Sequence, residues 1–277
     1  MIHRTTRPSL LPIVLPIVAI VAVACGPAPT ATAPPVRASV PPASGGVEPA
    51  TAAPSESPAA GSPGPAASGT VVIDPAGFTT TIDNPWFPLK PGTTLTYQGT
   101  EDGDQLHETF EITTETKVVD GVTCVVVRDR FQVNGVLEER TVDWYAQDLE
   151  GNVWYFGEDT AILDEHGNVI DTSGTWTTGI DGAQPGIFMP ANPAIGYSGR
   201  QELYVGQAED RYVILLMGEK VKVPLGSYTD TLTTLEWTIL EPDVLSEKVY
   251  VRGIGEVKEF DVRGGTELLQ LTKVATP

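Results

Sequence analysis

Val118-Val119-Asp120-Gly121-Val122-Thr123-Cys124-Val125-Val126-Val127-Arg128-Asp129-Arg130-Phe131-Gln132-Val133-Asn134-Gly135-Val136 decides the fold class. β-branched and aromatic residues dominate it, and two turn dipeptides, Asp120-Gly121 and Asn134-Gly135, interrupt it. Such dipeptides supply the positive backbone angles of a two-residue hairpin, whose twist matches that of the flanking strands. The reading is therefore strand, turn, strand, turn, strand. Val118-Val119 pairs with Val122 to Arg130, and Phe131 to Val133 pairs with Val136 to Asp143.

The pattern continues outward. Val142, Trp144 and Ala146 fall on one face of the next strand; Thr141, Asp143, Tyr145 and Gln147 fall on the other. Period-two alternation of this kind is the mark of a strand. The Glu150-Gly151-Asn152 turn joins Thr141–Gln147 to Val153–Phe156, and Gly264-Gly265 joins Gly255–Val262 to Glu267–Lys273. No segment carries an apolar helical stripe over three turns. The fold class expected is all-β: one large antiparallel sheet over residues 70–277, which covers its apolar face by curling into an incomplete barrel or by forming a sandwich.

The chain ahead of this domain has a different character. Arg4 and Arg7 precede an apolar run of 15 residues, Leu10 to Ala24, which ends in Ala22-Val23-Ala24-Cys25. A spanning helix needs roughly 20 apolar residues, and Pro12 and Pro16 interrupt this one. Basic, apolar, small, cysteine is the order of a lipoprotein signal peptide. Residues 1–24 are expected to be removed and Cys25 to be lipidated, which anchors the chain to the outside of a bacterial membrane. Residues 25–69 are dominated by Pro, Ala, Ser, Thr and Gly and hold only Arg37, Glu48 and Glu56 as charges. Such a segment cannot bury enough apolar surface to offset the entropy of ordering, so a disordered tether is expected.

Charge and cysteine count restrict the function. The chain carries a formal charge of −19, and loss of Arg4 and Arg7 with the leader makes it −21. That balance disfavours nucleic acid and anionic lipid surfaces as direct partners. With Cys25 committed to lipid, Cys124 has no disulfide partner and is expected to be a small core hydrophobe. Among mature residues only His107 and His166 are histidines, without paired spacing, so neither a transition-metal site nor a Ser-His-Asp triad is expected. No cofactor is implied. Asp148-Leu149-Glu150-Gly151-Asn152 places oxygen ligands at alternate positions but lacks the longer calcium-loop pattern, and is read as a polar turn.

The candidate ligand-binding residues are Trp144, Tyr145, Trp154 and Tyr155, together with Arg200. The four aromatics lie on two strands expected to pair and offer flat apolar faces to a ligand or to the core. Arg200 ends an irregular, Gly- and Pro-rich stretch from Gly174 to Gln201, a place where loops often carry sites. Glu158-Asp159, or Glu202 with Glu209 and Asp210, would supply the acid and base of a hydrolase.

Asp83-Asn84-Pro85-Trp86-Phe87-Pro88-Leu89-Lys90-Pro91-Gly92, Asp143-Trp144-Tyr145-Ala146-Gln147-Asp148 and Gly151-Asn152-Val153-Trp154-Tyr155-Phe156-Gly157-Glu158-Asp159 resemble segments of an uncharacterised family of bacterial secreted proteins and lipoproteins. More remotely, the order of strands with the late Val223-Pro224-Leu225-Gly226-Ser227-Tyr228 segment resembles the half-barrel lipoprotein carriers LolA and LolB. That resemblance implies a concave sheet that holds lipid and transfers no site residue. The functional expectation is a membrane-anchored, non-catalytic binding module for an apolar ligand, a glycan or an envelope partner. The alternatives are a carboxylate-dependent hydrolase and a purely structural envelope protein.

Overall fold

The computed structural model describes residues 71–277. The expected signal peptide, Cys25 and the tether lie outside the described residues. Among the described residues, a 3-10 turn at Pro75–Gly77 is followed by strands. They are β1 (Phe78–Thr79), β2 (Thr94–Glu101), β3 (Asp104–Val119), β4 (Val122–Val133), β5 (Val136–Asp148) and β6 (Val153–Leu163). Then come the short β7 (Val169–Asp171), β8 (Trp176–Thr177), β9 (Gln184–Met189), β10 (Ser198–Arg200) and β11 (Glu202–Leu203). The last third holds β12 (Asp210–Met217), β13 (Val221–Val223), β14 (Gly226–Tyr228), β15 (Thr231–Thr238), β16 (Leu245–Val251), β17 (Gly255–Arg263) and β18 (Leu268–Ala275).

The hairpins fall where the turn chemistry puts them. Asp120 and Gly121 have φ of 48° and 81°, and Asn134 and Gly135 have 51° and 82°. Both residues of each pair thus sit in the left-handed region, as a type I′ turn demands. Asp102-Gly103 makes the same turn between β2 and β3.

The main sheet runs β10-β12-β15-β16-β17-β18-β2-β3-β4-β5-β6-β9-β11, antiparallel at every step given by the pairings. Its two ends are consecutive in the chain. Arg200 in β10 pairs with Arg211 of β12, while Glu202 in β11 pairs with Pro185 of β9. Between them, the Gln201 N–H donates to the Asp210 carbonyl at 2.9 Å. One short stretch therefore bonds to both ends and draws the sheet into a nearly closed barrel. Bulges such as those between Ile112 and Thr116 and between Ile214 and Leu216 bend the strands enough to curl it. Closure requires Gly186: a Cβ there would stand 2.1 Å from the Arg200 carbonyl oxygen. The Gly174–Gln201 stretch is thus not the irregular insertion expected. Its glycine serves close approach inside a sheet, and β8, β9 and β10 lie within it.

Two cores result. The barrel interior holds Leu95, Ile112, Val127, Tyr145, Tyr155, Phe188, Ile214, Leu232 and Leu271 among others. A smaller core outside the sheet packs Cys124, Val126, Trp144, Ala146 and Phe156 beneath Ile73 and Phe78 of the leading segment. The stretch from Ile82 to Leu89 crosses one mouth of the barrel. Ile82, Trp86, Phe87 and Leu89 are buried in the interior core. Asn84 fixes the stretch to one wall, with its N–H donating to Gln147 Oε1 at 2.9 Å and its side-chain amide donating to the Gly151 and Pro190 carbonyls. At the opposite wall the Gly253 N–H donates to the Pro85 carbonyl at 2.7 Å, and the Arg252 guanidinium lies 4.3 Å from the Trp86 ring centre.

Candidate functional site: an acidic cavity inside the barrel

The interior of this barrel is not uniformly apolar. On β4, β5 and β6 every second residue points inward, and several are polar: Asp129, Glu139, Thr141, Asp143, Glu158 and Thr160, all buried. Asp143 stands directly opposite Glu158 across the β5–β6 pair, and Thr141 opposite Thr160, with their hydroxyls 2.9 Å apart. Thr160 also donates to Glu158 Oε2 at 3.1 Å, and Tyr155 donates its hydroxyl to Asp143 Oδ1 at 2.6 Å. Asp143 Oδ2 and Glu158 Oε1 have no hydrogen-bond partner.

Burial decides the charge state of these groups. It raises the Asp143 carboxyl to about 6, with the Tyr155 hydrogen bond holding it partly back. Burial, and then the neighbouring Asp143, Glu139 and Asp210, push Glu158 well above the usual carboxylate range. Glu202, buried in β11, is raised in the same way by burial and by Asp210 and Glu158. Like charges this close in a poorly hydrated interior cannot all ionise, so protons are retained instead.

Among the described residues a single cation faces this interior, from the other side of the barrel. Lys248 of β16 is buried, and its ammonium lies 3.1 Å from Glu259 Oε2 and 3.5 Å from Glu256 Oε2. Burial works against its charge, but Glu256, Glu259 and Glu236 outweigh that and raise its pKa. One cation cannot neutralise three carboxylates. Glu259 is the nearer partner of the ammonium, burial pushes Glu256 up to about 8, and burial raises Glu236 as well. Glu236 accepts from Thr234 Oγ1 at 2.6 Å and from Gln201 Nε2 at 3.3 Å.

Between the two groups lies a cavity of about 60 Å³. Its walls are Phe87, Leu95, Phe110, Tyr145 and Phe188 on the apolar side, and Glu108, Asp129, Asp143, Lys248, Glu256 and Glu259 on the charged side. The partly exposed Pro88, Ile254 and Glu256 mark its approach to solvent. A water needs roughly 10–15 Å³ by this measure, so the cavity holds several waters or a small head group.

The five residues expected to bind ligand are dispersed. Tyr145 and Tyr155 stack inside the barrel with ring centres 4.8 Å apart, and of these only Tyr145 reaches the cavity wall. Trp144 points the other way, into the outer core, where the Lys117 ammonium sits 3.1 Å from its ring centre. Trp154 also packs on the outer core and donates Nε1 to Asp148 Oδ2 at 2.8 Å. Arg200 lies at the seam of the barrel, half-buried, its pKa lowered by burial and by Arg211. Of the carboxylates considered, Glu158, Glu202 and Asp210 turn inward and are buried, whereas Asp159 is exposed. Asp148 is consumed by its own turn, accepting from the Glu150 and Asn152 backbone and the Asn152 amide. Among the described residues no three His, Cys, Asp or Glu side chains are placed to hold a metal ion. Cys124 is fully buried in β4, where burial pushes its thiol up to about 12.

Sequence reading missed Lys248, Glu256, Glu259, Glu108 and Asp129. A findable signal existed for Asp129 and Asp143: both share their strand face with core residues such as Val127 and Tyr145. The cavity itself depends on β16 and β17 meeting β4 and β5 across the barrel, which no local pattern announces.

No family model matches the chain, and no curated protein is similar to it at a significant level. Among solved structures it is similar to a protein assigned as exported, with a YmcC-like fold, from Bacteroides fragilis, at 14% identity and a TM-score of 0.40. That match covers 69% of this chain and 99% of the other. It is also similar to a protein assigned as a lipoprotein from Parabacteroides distasonis, at 10% identity and a TM-score of 0.37, over 69% of this chain and 98% of the other.

Proposed function

We propose that the chain is a non-catalytic binding module, held outside the cytoplasm by lipid at Cys25, whose barrel interior receives a small ligand. The observation that carries this reading is the cavity beside Phe87, lined by a buried Asp143 whose Oδ2 has no hydrogen-bond partner. An unpartnered buried acceptor costs roughly 1–3 kcal/mol, more when charged, and a ligand donor removes that cost. A barrel with a purely structural role gains nothing from the arrangement. The Leu10–Cys25 segment supports the extracytoplasmic address.

The geometry gives little support to hydrolysis. Asp143 and Glu158 are cross-strand neighbours, side by side on one wall, rather than carboxyl groups facing each other across a substrate. Native mass spectrometry of the full chain, extracted gently from its own membranes, tests the binding reading. A stoichiometric small molecule that is lost on unfolding is expected. Repeated recovery of the bare chain, together with no response to amines, alcohols or carboxylates, would refute it.

A further inference from the structure

We propose that the barrel cavity is an ammonium site: a ligand with an amine head seats its cation against Asp143 Oδ2, with its apolar part along Phe87, Tyr145 and Phe188. This deepens the binding reading above and rests on it.

Three observations converge on the cavity. Asp143 is 2% exposed, and Oδ2 is without a partner while Oδ1 is held by Tyr155. Lys248 is the one cation among the lining residues. That cation is already engaged by Glu256 and Glu259. An anionic ligand would meet no unengaged cation. A hydroxyl would satisfy Oδ2 but bring no positive charge to an ionised Asp143. An ammonium does both, and ring faces at the same cavity add cation–π attraction of about 0.5–2 kcal/mol.

Size narrows the class further. About 60 Å³ accepts an ammonium with a short stem. It is well short of the roughly 150 Å³ that holds a benzene ring, so a compact ring is not enclosed, whereas a linear amine keeps its head inside and runs its stem through the opening. A longer apolar chain would leave by the Pro88–Ile254 side. Whether the amine belongs to a lipid head group or to a free small amine is a matter of what lies beyond that opening.

Ammonium binding needs an ionised partner, and burial raises Asp143, faced by Tyr155 and Glu158 of β6, Glu108 of β3 and Lys248 of β16, to about 6. Binding of the cation therefore expels a proton below that pH, and affinity rises about tenfold between pH 5 and pH 7.

The test is calorimetric titration of the full chain in detergent with n-butylammonium chloride, sodium butyrate and n-butanol at pH 5 and 7. Saturable binding of butylammonium alone, strengthening about tenfold at the higher pH, is expected. Asp143→Asn, with the fold checked by circular dichroism, is expected to weaken it at least tenfold, while exposed Asp159→Asn leaves it unchanged. Equal binding of butanol, or butylammonium binding that survives Asp143→Asn, overturns the ammonium site and leaves the binding reading standing. Silence from all three probes overturns the ammonium site; a co-purifying host molecule without an amine would then still support a binding module. If Asp143→Asn does not fold, the butylammonium and butanol comparison on the natural chain decides. Calorimetry with micelles of short-chain phosphatidylethanolamine, whose amine is free, against ethanolamine then separates the sources: tighter binding of the micelles assigns a lipid head group, and tighter binding of ethanolamine assigns a free amine.

Discussion

Raising the pH should destabilise this protein, and Asp143→Asn should remove a defined part of that loss. The Asp143 carboxyl moves from an ordinary 3.8 in the unfolded chain to about 6 in the fold. Each unit is worth about 1.4 kcal/mol, so ionising it in place costs about 3 kcal/mol. Between about pH 4 and 6 the folded state binds the extra proton, so stability is full below pH 4 and declines as pH climbs through 6. About 2 kcal/mol of the total falls between pH 4.5 and 7.5. Glu256, raised to about 8, extends the decline to higher pH in the same direction. Surface repulsion in so acidic a chain adds to it, so the comparison between natural chain and variant is the informative quantity. Urea unfolding followed by tryptophan fluorescence at pH 4.5 and 7.5 gives it. With a slope of about 2 kcal/mol per molar urea, the natural chain should lose about 1 M more in midpoint than Asp143→Asn does. Glu158, relieved of a like-charged neighbour in the variant, shifts the difference the same way. A natural chain whose stability is flat or rises from pH 4.5 to 7.5 would refute the reasoning, as would a variant with an unchanged pH profile.

The other predictions address the frame around the cavity. Lys248→Met leaves Glu256 and Glu259 without their cation and should cost about 3–5 kcal/mol at pH 7.5, less at pH 5, by urea titration. Gln147→Leu orphans the Asp83 and Asn84 N–H groups that fasten the stretch across the barrel mouth, and should cost about 2–4 kcal/mol in the same assay. Gly186→Ala forces the Arg200 carbonyl away; hydrogen exchange should accelerate across Ser198–Leu203 before the rest of the sheet. Mass mapping after iodoacetamide at pH 8 should find Cys124 unmodified in the native chain and modified in urea, because burial holds the thiol protonated.

The strands were legible because turn chemistry and alternation are local. Asp120-Gly121 and Asn134-Gly135 each dictate a hairpin, and the strands between them follow. Asp102-Gly103 carries the same signal and makes the β2–β3 turn. What alternation cannot give is which face of a strand turns inward. On β5 the Trp144 face is covered by Ile73 and Phe78, while the Asp143 face, polar by composition, lines the barrel. Both faces are buried, so polarity did not mark solvent. The site was less legible still. Lys248 meets Asp143 in one cavity only because a thirteen-strand path curls back on itself, a tertiary fact with no counterpart in spacing. Barrel closure was hidden for a related reason: Pro185-Gly186 reads as a loop signal, yet Gly186 is there to let the Arg200 carbonyl approach.

Asp143 is a buried carboxyl that holds its proton below about pH 6 and gives it up when an ammonium group binds. Carbon-13 NMR of side-chain carboxyls, assigned by Asp143→Asn, reads this group alone. A neutral Asp143 at pH 4.5, a midpoint near 6, and conversion to carboxylate at fixed pH 5.5 on saturation with butylammonium are expected. An Asp143 already ionised at pH 4.5, or one whose signal does not move with the amine, would contradict it.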